Sequence, residues 1–88
     1  MASSLKVRIV TPRKVAFEGV AVGVQAPGEL GEFGVLPGHI ALVSALKAGN
    51  VVVSGQPSRR FRVGVGFAEV GPDRVTLMVE TCEELTDK

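Results

Sequence analysis

Few side chains in this 88-residue chain could carry out a reaction. It has one histidine, His39, one cysteine, Cys82, and two aspartates, Asp73 and Asp87. A serine, His39 and Asp73 make a nucleophilic triad by inventory only, because nothing in their spacing would hold them in line. Asp73 lies in the turn-forming run Gly71-Pro72-Asp73-Arg74, and His39 follows Pro37-Gly38, where bonding turn backbone is its expected work. Cys82 has no partner for a disulfide or a paired-cysteine metal site and reads as a small hydrophobe near the last strand. Gly64-Val65-Gly66-Phe67-Ala68 starts like a dinucleotide fingerprint, but Glu69 stands where the third glycine belongs. Strand-like alternation follows it, with no helix to receive a pyrophosphate, so these glycines are expected to be sheet bulges. No Gly-Lys-Ser/Thr phosphate loop occurs, and Arg59-Arg60-Phe61-Arg62 lacks the interleaved exposed aromatics of an RNA-binding strand. The chain is therefore expected to hold no cofactor, metal or nucleic acid, and to work by binding.

Binding chemistry is concentrated between Gly28 and Leu46, in the run GELGEFGVLPGHIALVSAL. Gly28, Gly31, Gly34 and Gly38 exclude a good helix and mark backbone that turns or approaches other backbone closely. The run carries two carboxylates, Glu29 and Glu32, and no Lys or Arg follows Gly28 until Lys47. A one-signed, partly apolar loop of this kind is a contact-site candidate, and an irregular hairpin is the plainer reading of the same spacing.

The elements that would position this loop read as strands. Leu5, Val7 and Ile9 alternate with Lys6 and Arg8, giving a half-buried strand that ends at Thr11-Pro12-Arg13-Lys14. Val15 to Ala26 reads as one long strand or two, with Gly19 and Gly23 marking a bulge or close sheet packing. Pro27-Gly28 should break that strand. Glu32 to Leu36 follows as a short strand, and Ile40 to Leu46, bounded by Pro-Gly and Ala-Gly, fits a buried strand better than a helical turn. Turns are expected at Gly49-Asn50, Ser54–Ser58 and Gly71–Arg74. Between them, Phe61, Val63 and Val65 should face inward, as should Val75, Leu77 and Val79. From Thr81 to Lys88 the periodicity stops and a polar tail is expected.

Composition agrees. Valine dominates the apolar residues, there is no Trp or Tyr, and eleven Gly and five Pro provide punctuation. The expectation is all-β: a single β-sandwich of roughly eight to ten short strands. The net charge of +1 hides alternating blocks, basic over residues 1–14 and 47–74 and acidic over residues 15–46 and 75–88. Such blocks make separate patches and not one nucleic-acid face. No apolar run reaches membrane-spanning length and the amino terminus lacks signal character, so the chain is expected to be soluble.

The run GEFGVLPGHIALVSALKAG resembles the signature of the epsilon subunit of rotary F-type ATP synthases. LKVRIVTPRKVAFEG and RRFRVGVGFAEVGPDRVTLMVET resemble that family's opening and closing strands, in the right order. The resemblance implies an amino-terminal β-sandwich, here residues 1–82, with no active site of its own. It implies a rotor subunit that docks the gamma subunit onto the polar loops of the membrane c-ring, coupling proton or sodium flow to ATP synthesis. By motif matching, Glu29, Leu30, Gly31 and Glu32 fall on the ring-facing loop. Thr11, His39, Ile40, Ala41, Leu42 and Ser44 fall on or near the gamma-facing side. The implied location is peripheral, on the cytoplasmic side of a bacterial inner membrane, with the isolated chain monomeric. Longer members add a carboxy-terminal helical hairpin. Residues 83–88 are too few for it, so its regulatory role is not expected here. Without the resemblance, a free-standing sandwich adaptor fits the same residues.

Overall fold

A computed structural model of the chain describes residues 4–86. Ten strands form, with no helix among the described residues. They are β1 (Leu5–Val10), β2 (Val15–Ala21), β3 (Gly23–Gly28), β4 (Gly31–Val35) and β5 (Leu42–Leu46). The second half supplies β6 (Gly49–Ser54), β7 (Arg59–Val63), β8 (Gly66–Val70), β9 (Arg74–Val79) and β10 (Cys82–Leu85). Their hydrogen-bonded order is β10-β7-β6-β3-β5-β8-β9-β1-β2, with β4 on β3. All pairs are antiparallel except β1 with β9.

The order divides into two five-stranded halves, β10-β7-β6-β3-β4 and β5-β8-β9-β1-β2. They meet at one paired position, Gly28 with Leu46. Beside it, the Glu29 N–H donates to the Ala45 carbonyl and the Lys47 N–H to the Pro27 carbonyl, each at 2.9 Å. Inward residues of both halves share one core. Leu5, Val7, Ile9, Val75, Leu77 and Val79 from one half face Val24, Val35, Val51, Val53, Phe61 and Val63 from the other. A second tie joins β2 to β7, where the Phe17 and Phe61 rings lie 5.2 Å apart. The radius of gyration, 11.7 Å, is close to the roughly 12 Å expected for a compact chain of this length. The expected all-β sandwich is what forms.

The differences from expectation lie where the chain changes halves. Of the two readings of Val15 to Ala26, the two-strand one forms: β2 and β3 belong to different halves, and the chain crosses at Val22. No bulge falls at Gly19 or Gly23; the register shift lies at Ile9/Val10, and the Phe17 ring lies over Gly19 instead. Pro27-Gly28 does not break the strand. Both residues complete β3, and Pro27, having no N–H to donate, offers its carbonyl to Lys47. Ile40 and Ala41 precede β5, and Gly49-Asn50 opens β6, so the turn there is Lys47-Ala48.

Gly64-Val65 is another of the crossings, which leaves Val65 exposed and not inward. Gly66 is no bulge. It pairs in register with both Leu46 and Val79, and a side chain there would strike the Met78 carbonyl oxygen. Finally, the polar stretch after Thr81 is not a tail as far as Leu85. Cys82 to Leu85 adds β10 to the edge of β7, and Glu84 binds Arg59 at 2.9 Å. Asp87 and Lys88 lie outside the described residues.

Candidate functional site

The β3–β4 hairpin turns through Glu29 and Leu30, with Gly28 paired to Gly31. Gly31 has a φ of +143°, which an L side chain rarely adopts, so glycine sets the shape of the tip. Leu30 is fully exposed at the tip, and Glu29, Gly31 and Glu32 are exposed beside it. Glu32 accepts a 3.1 Å hydrogen bond from the Gln25 amide, on the neighbouring strand. No ion pair involves Glu29 or Glu32 among the described residues. The four residues expected on one loop are thus together, at a protruding tip that presents two carboxylates and one apolar side chain.

The second expected group does not form a single surface. Its turn is built by Gly38, whose φ is +91° and whose N–H donates to the Pro72 carbonyl at 2.7 Å. His39 is half-buried behind that turn: its N–H donates to the Leu36 carbonyl and its Nδ1 lies 2.7 Å from the Ile40 carbonyl oxygen. The histidine therefore serves backbone, as its place in the sequence suggests. No contact joins it to Asp73 among the described residues, so the triad is not assembled. Ile40 and Ala41 are exposed ahead of β5. Leu42 and Ser44 share the inward parity of Leu46 and are half-buried, Leu42 packing on the core. With His39 they line a recess of about 480 Å³ beneath the hairpin tip, shared with Glu29, Glu32 and Phe33.

Thr11 lies elsewhere. Its Oγ1 accepts from the Arg13 and Lys14 N–H groups at 3.3 Å, closing the Pro12–Lys14 turn. It borders a broad groove of about 640 Å³ on the outer face of the β5-β8-β9-β1 sheet. Register places Ala45, Phe67, Met78 and Val10 side by side across that face. Phe67 is 56% exposed and Met78 44%, with Val43 at 69% two residues before Ala45 on β5's outward side. Glu29 and Ala45 border both the groove and the recess, so the hairpin tip joins the two concavities.

Sequence reasoning missed Val10, Val43, Val65, Phe67 and Met78 as surface residues. Their signal was present: β5, β8 and β9 carry apolar residues at both parities, which a sheet with a solvated outer face has no reason to do. No group of ligating side chains that could hold a metal occurs among the described residues.

Comparison with known proteins gives concordant results. The family model described as "ATP synthase, Delta/Epsilon chain, beta-sandwich domain" matches residues 4–85. An ATP synthase epsilon chain of Syntrophobacter fumaroxidans is 45% identical over 85 residues, covering 96% of this chain and 63% of the relative. This chain thus spans a little under two thirds of that relative's length. Among solved structures, a chain of the Euglena gracilis mitochondrial ATP synthase (OSCP/F1/c-ring) matches with a TM-score of 0.88 at 18% identity, over 96% of this chain and 55% of its own. A chain of the Tetrahymena thermophila mitochondrial ATP synthase central stalk and c-ring matches at 0.74 and 17%, over 90% of this chain and 65% of its own. At those identities the structural matches speak for the fold. With the family model covering nearly every described residue, the chain belongs to the ATP synthase delta/epsilon β-sandwich family.

Proposed function

We propose that the chain is a non-catalytic rotor subunit of an F-type ATP synthase, docked between the gamma subunit and the polar loops of the c-ring. In this reading it helps pass the torque that couples proton or sodium flow to ATP synthesis. It works at the cytoplasmic side of a bacterial inner membrane without entering it. The observation that carries the reading is the family match over residues 4–85. The tip, Glu29 to Glu32, faces the ring, where its carboxylates meet basic side chains. Thr11, His39, Ile40, Ala41, Leu42 and Ser44 border the gamma side, and the apolar row Val10, Ala45, Phe67 and Met78 gives that side its area.

A rotor part must hold two partners through every turn. A rigid sandwich with an apolar patch for one and a charged tip for the other suits that requirement, since burial supplies affinity and charge supplies register. The test is assembly of the complex with tagged wild-type chain, Phe67→Asp and Glu32→Lys. Wild type should retain gamma and the c-ring. Phe67→Asp should lose gamma, and Glu32→Lys should keep gamma but couple ion flow poorly. Retention of gamma by Phe67→Asp at wild-type level would sink the assignment of the apolar row. Failure of wild type to bind either partner would favour a free-standing adaptor.

A further inference from the structure

The outer face that is apolar at Val10 becomes basic at the other end of the same strand. Lys6 and Arg74 are register partners on the parallel pair β1–β9, and Val20 stands opposite Lys6 on β2. Side chains at paired positions leave the same face as neighbours. Neither Lys6 nor Arg74 makes a side-chain hydrogen bond or ion pair among the described residues. Arg8, next along that face, is already bound to Glu18 at 3.3 Å. Glu69, on β8 beside Thr76, pairs with neither free cation. Lys6, Arg74, Thr76 and Val20 border a recess of about 390 Å³, and Val20 is 67% exposed within it.

Like charges at directly paired sheet positions cost stability, and no carboxylate of the described residues forms an ion pair with either cation; Glu18, which also borders the recess, is bound to Arg8. The offset can come from outside. We propose that this recess binds an acidic segment of a partner polypeptide, with carboxylates on Lys6 and Arg74 and an aliphatic side chain on Val20. Arg74 offers a planar fork for a carboxylate and Lys6 a point charge beside it, so two acidic side chains can be held together. The exposed Val20 opposite Lys6 suits a side-chain-bearing segment, whose aliphatic groups can cover it while its carboxylates meet the two cations. A small oxyanion would have no use for Val20. The inference does not depend on which partner covers the apolar end of the face.

Fluorescein-labelled hexaglutamate, titrated with the purified chain and followed by anisotropy, tests the proposal. Variants Arg74→Glu and Lys6→Glu are compared with Arg13→Glu, which makes the same charge change at the exposed Pro12–Lys14 turn. All three sites are exposed, and circular dichroism is used to check that each variant is folded. Saturable binding, weakened about tenfold or more by Arg74→Glu and by Lys6→Glu but within about twofold by Arg13→Glu, supports the site. Equal weakening by all three would show net charge alone at work and overturn it. So would absence of saturable binding at low salt. Two further arms separate other sources of anionic charge. Tighter capture by phosphatidylglycerol vesicles than by hexaglutamate, with the same Arg74 dependence, would overturn the polypeptide assignment. Displacement of the peptide by inorganic phosphate as effectively as by unlabelled hexaglutamate would do the same.

Discussion

Glu32 is held by a neutral donor, the Gln25 amide, and by no cation, so its carboxylate is oriented while its charge remains available to a partner. A rim ion pair made by such a group is worth about 1 kcal/mol. Glu32→Lys should therefore impair coupled proton pumping in reconstituted membranes while shifting the thermal melt of the isolated chain by less than about 0.5 kcal/mol. A much earlier melt with normal pumping would make the residue structural. Cys82 behaves differently. Burial raises its thiol pKa above the ordinary range, the nearby Glu84 carboxylate raises it further, and Lys14 opposes both. The fold thus favours the neutral thiol. The stability linked to that preference is fully present below the unfolded thiol pKa and is lost as pH rises through the higher folded one. Alkylation of the folded chain by iodoacetamide near neutral pH should run slower than that of the urea-unfolded chain. Equal rates would remove this account of the thiol.

At the scale of elements, the crossings between the two halves set the tightest demands. Gly66 lies where β8 passes between β5 and β9, against the Met78 backbone. A methyl group there must move backbone, and overpacking of that kind costs about 1–3 kcal/mol. Gly66→Ala should lower the urea midpoint accordingly, and an unchanged midpoint would show that the crossing can relax. β10 is held in a different way. Arg59 stacks 5.2 Å from the Phe17 ring centre and binds Glu84 at 2.9 Å, so one side chain ties β2, β7 and β10. Both ends of that pair are partly exposed, which keeps each contribution below about 1 kcal/mol. Arg59→Ala should cost about 1 kcal/mol in total, with amide exchange accelerated in Cys82–Leu85 before the core strands. Uniform acceleration across every strand would contradict the local role of Arg59.

For the whole molecule, the question is which face is covered in the working assembly. Burying an exposed Phe contributes about 1.5–3 kcal/mol, and a carboxylate in its place adds a desolvation cost. Phe67→Asp should thus weaken gamma binding by roughly a hundredfold or more while the isolated chain unfolds at nearly the wild-type temperature. Titration calorimetry against gamma and a thermal melt of the same variant make the comparison. If Phe67→Asp melts early, the outer row supports the fold and not the docking surface.

Much of the fold was legible in the amino-acid order because burial along a strand is a local, period-two property. Leu5, Val7 and Ile9 alternate with Lys6 and Arg8, Val75 and Leu77 flank Thr76, and their inward placement follows from the pleat alone. The Glu29–Glu32 tip was legible for a similar reason, since glycine and charge act within a few residues of chain. Tertiary structure decided the rest. Which strands switch halves at Val22 and Gly64-Val65 depends on partners far along the chain. Cys82 to Leu85 has no strand periodicity of its own; it pairs because β7 offers an open edge with Arg62 opposite Glu83 and Arg60 opposite Leu85. The separation of Thr11 from His39 and Ser44, and the assembly of Val10, Ala45, Phe67 and Met78 into one row, were likewise set by register between strands distant in sequence. Local alternation says which face of a strand is apolar; only the neighbouring strand decides what surface that face becomes part of.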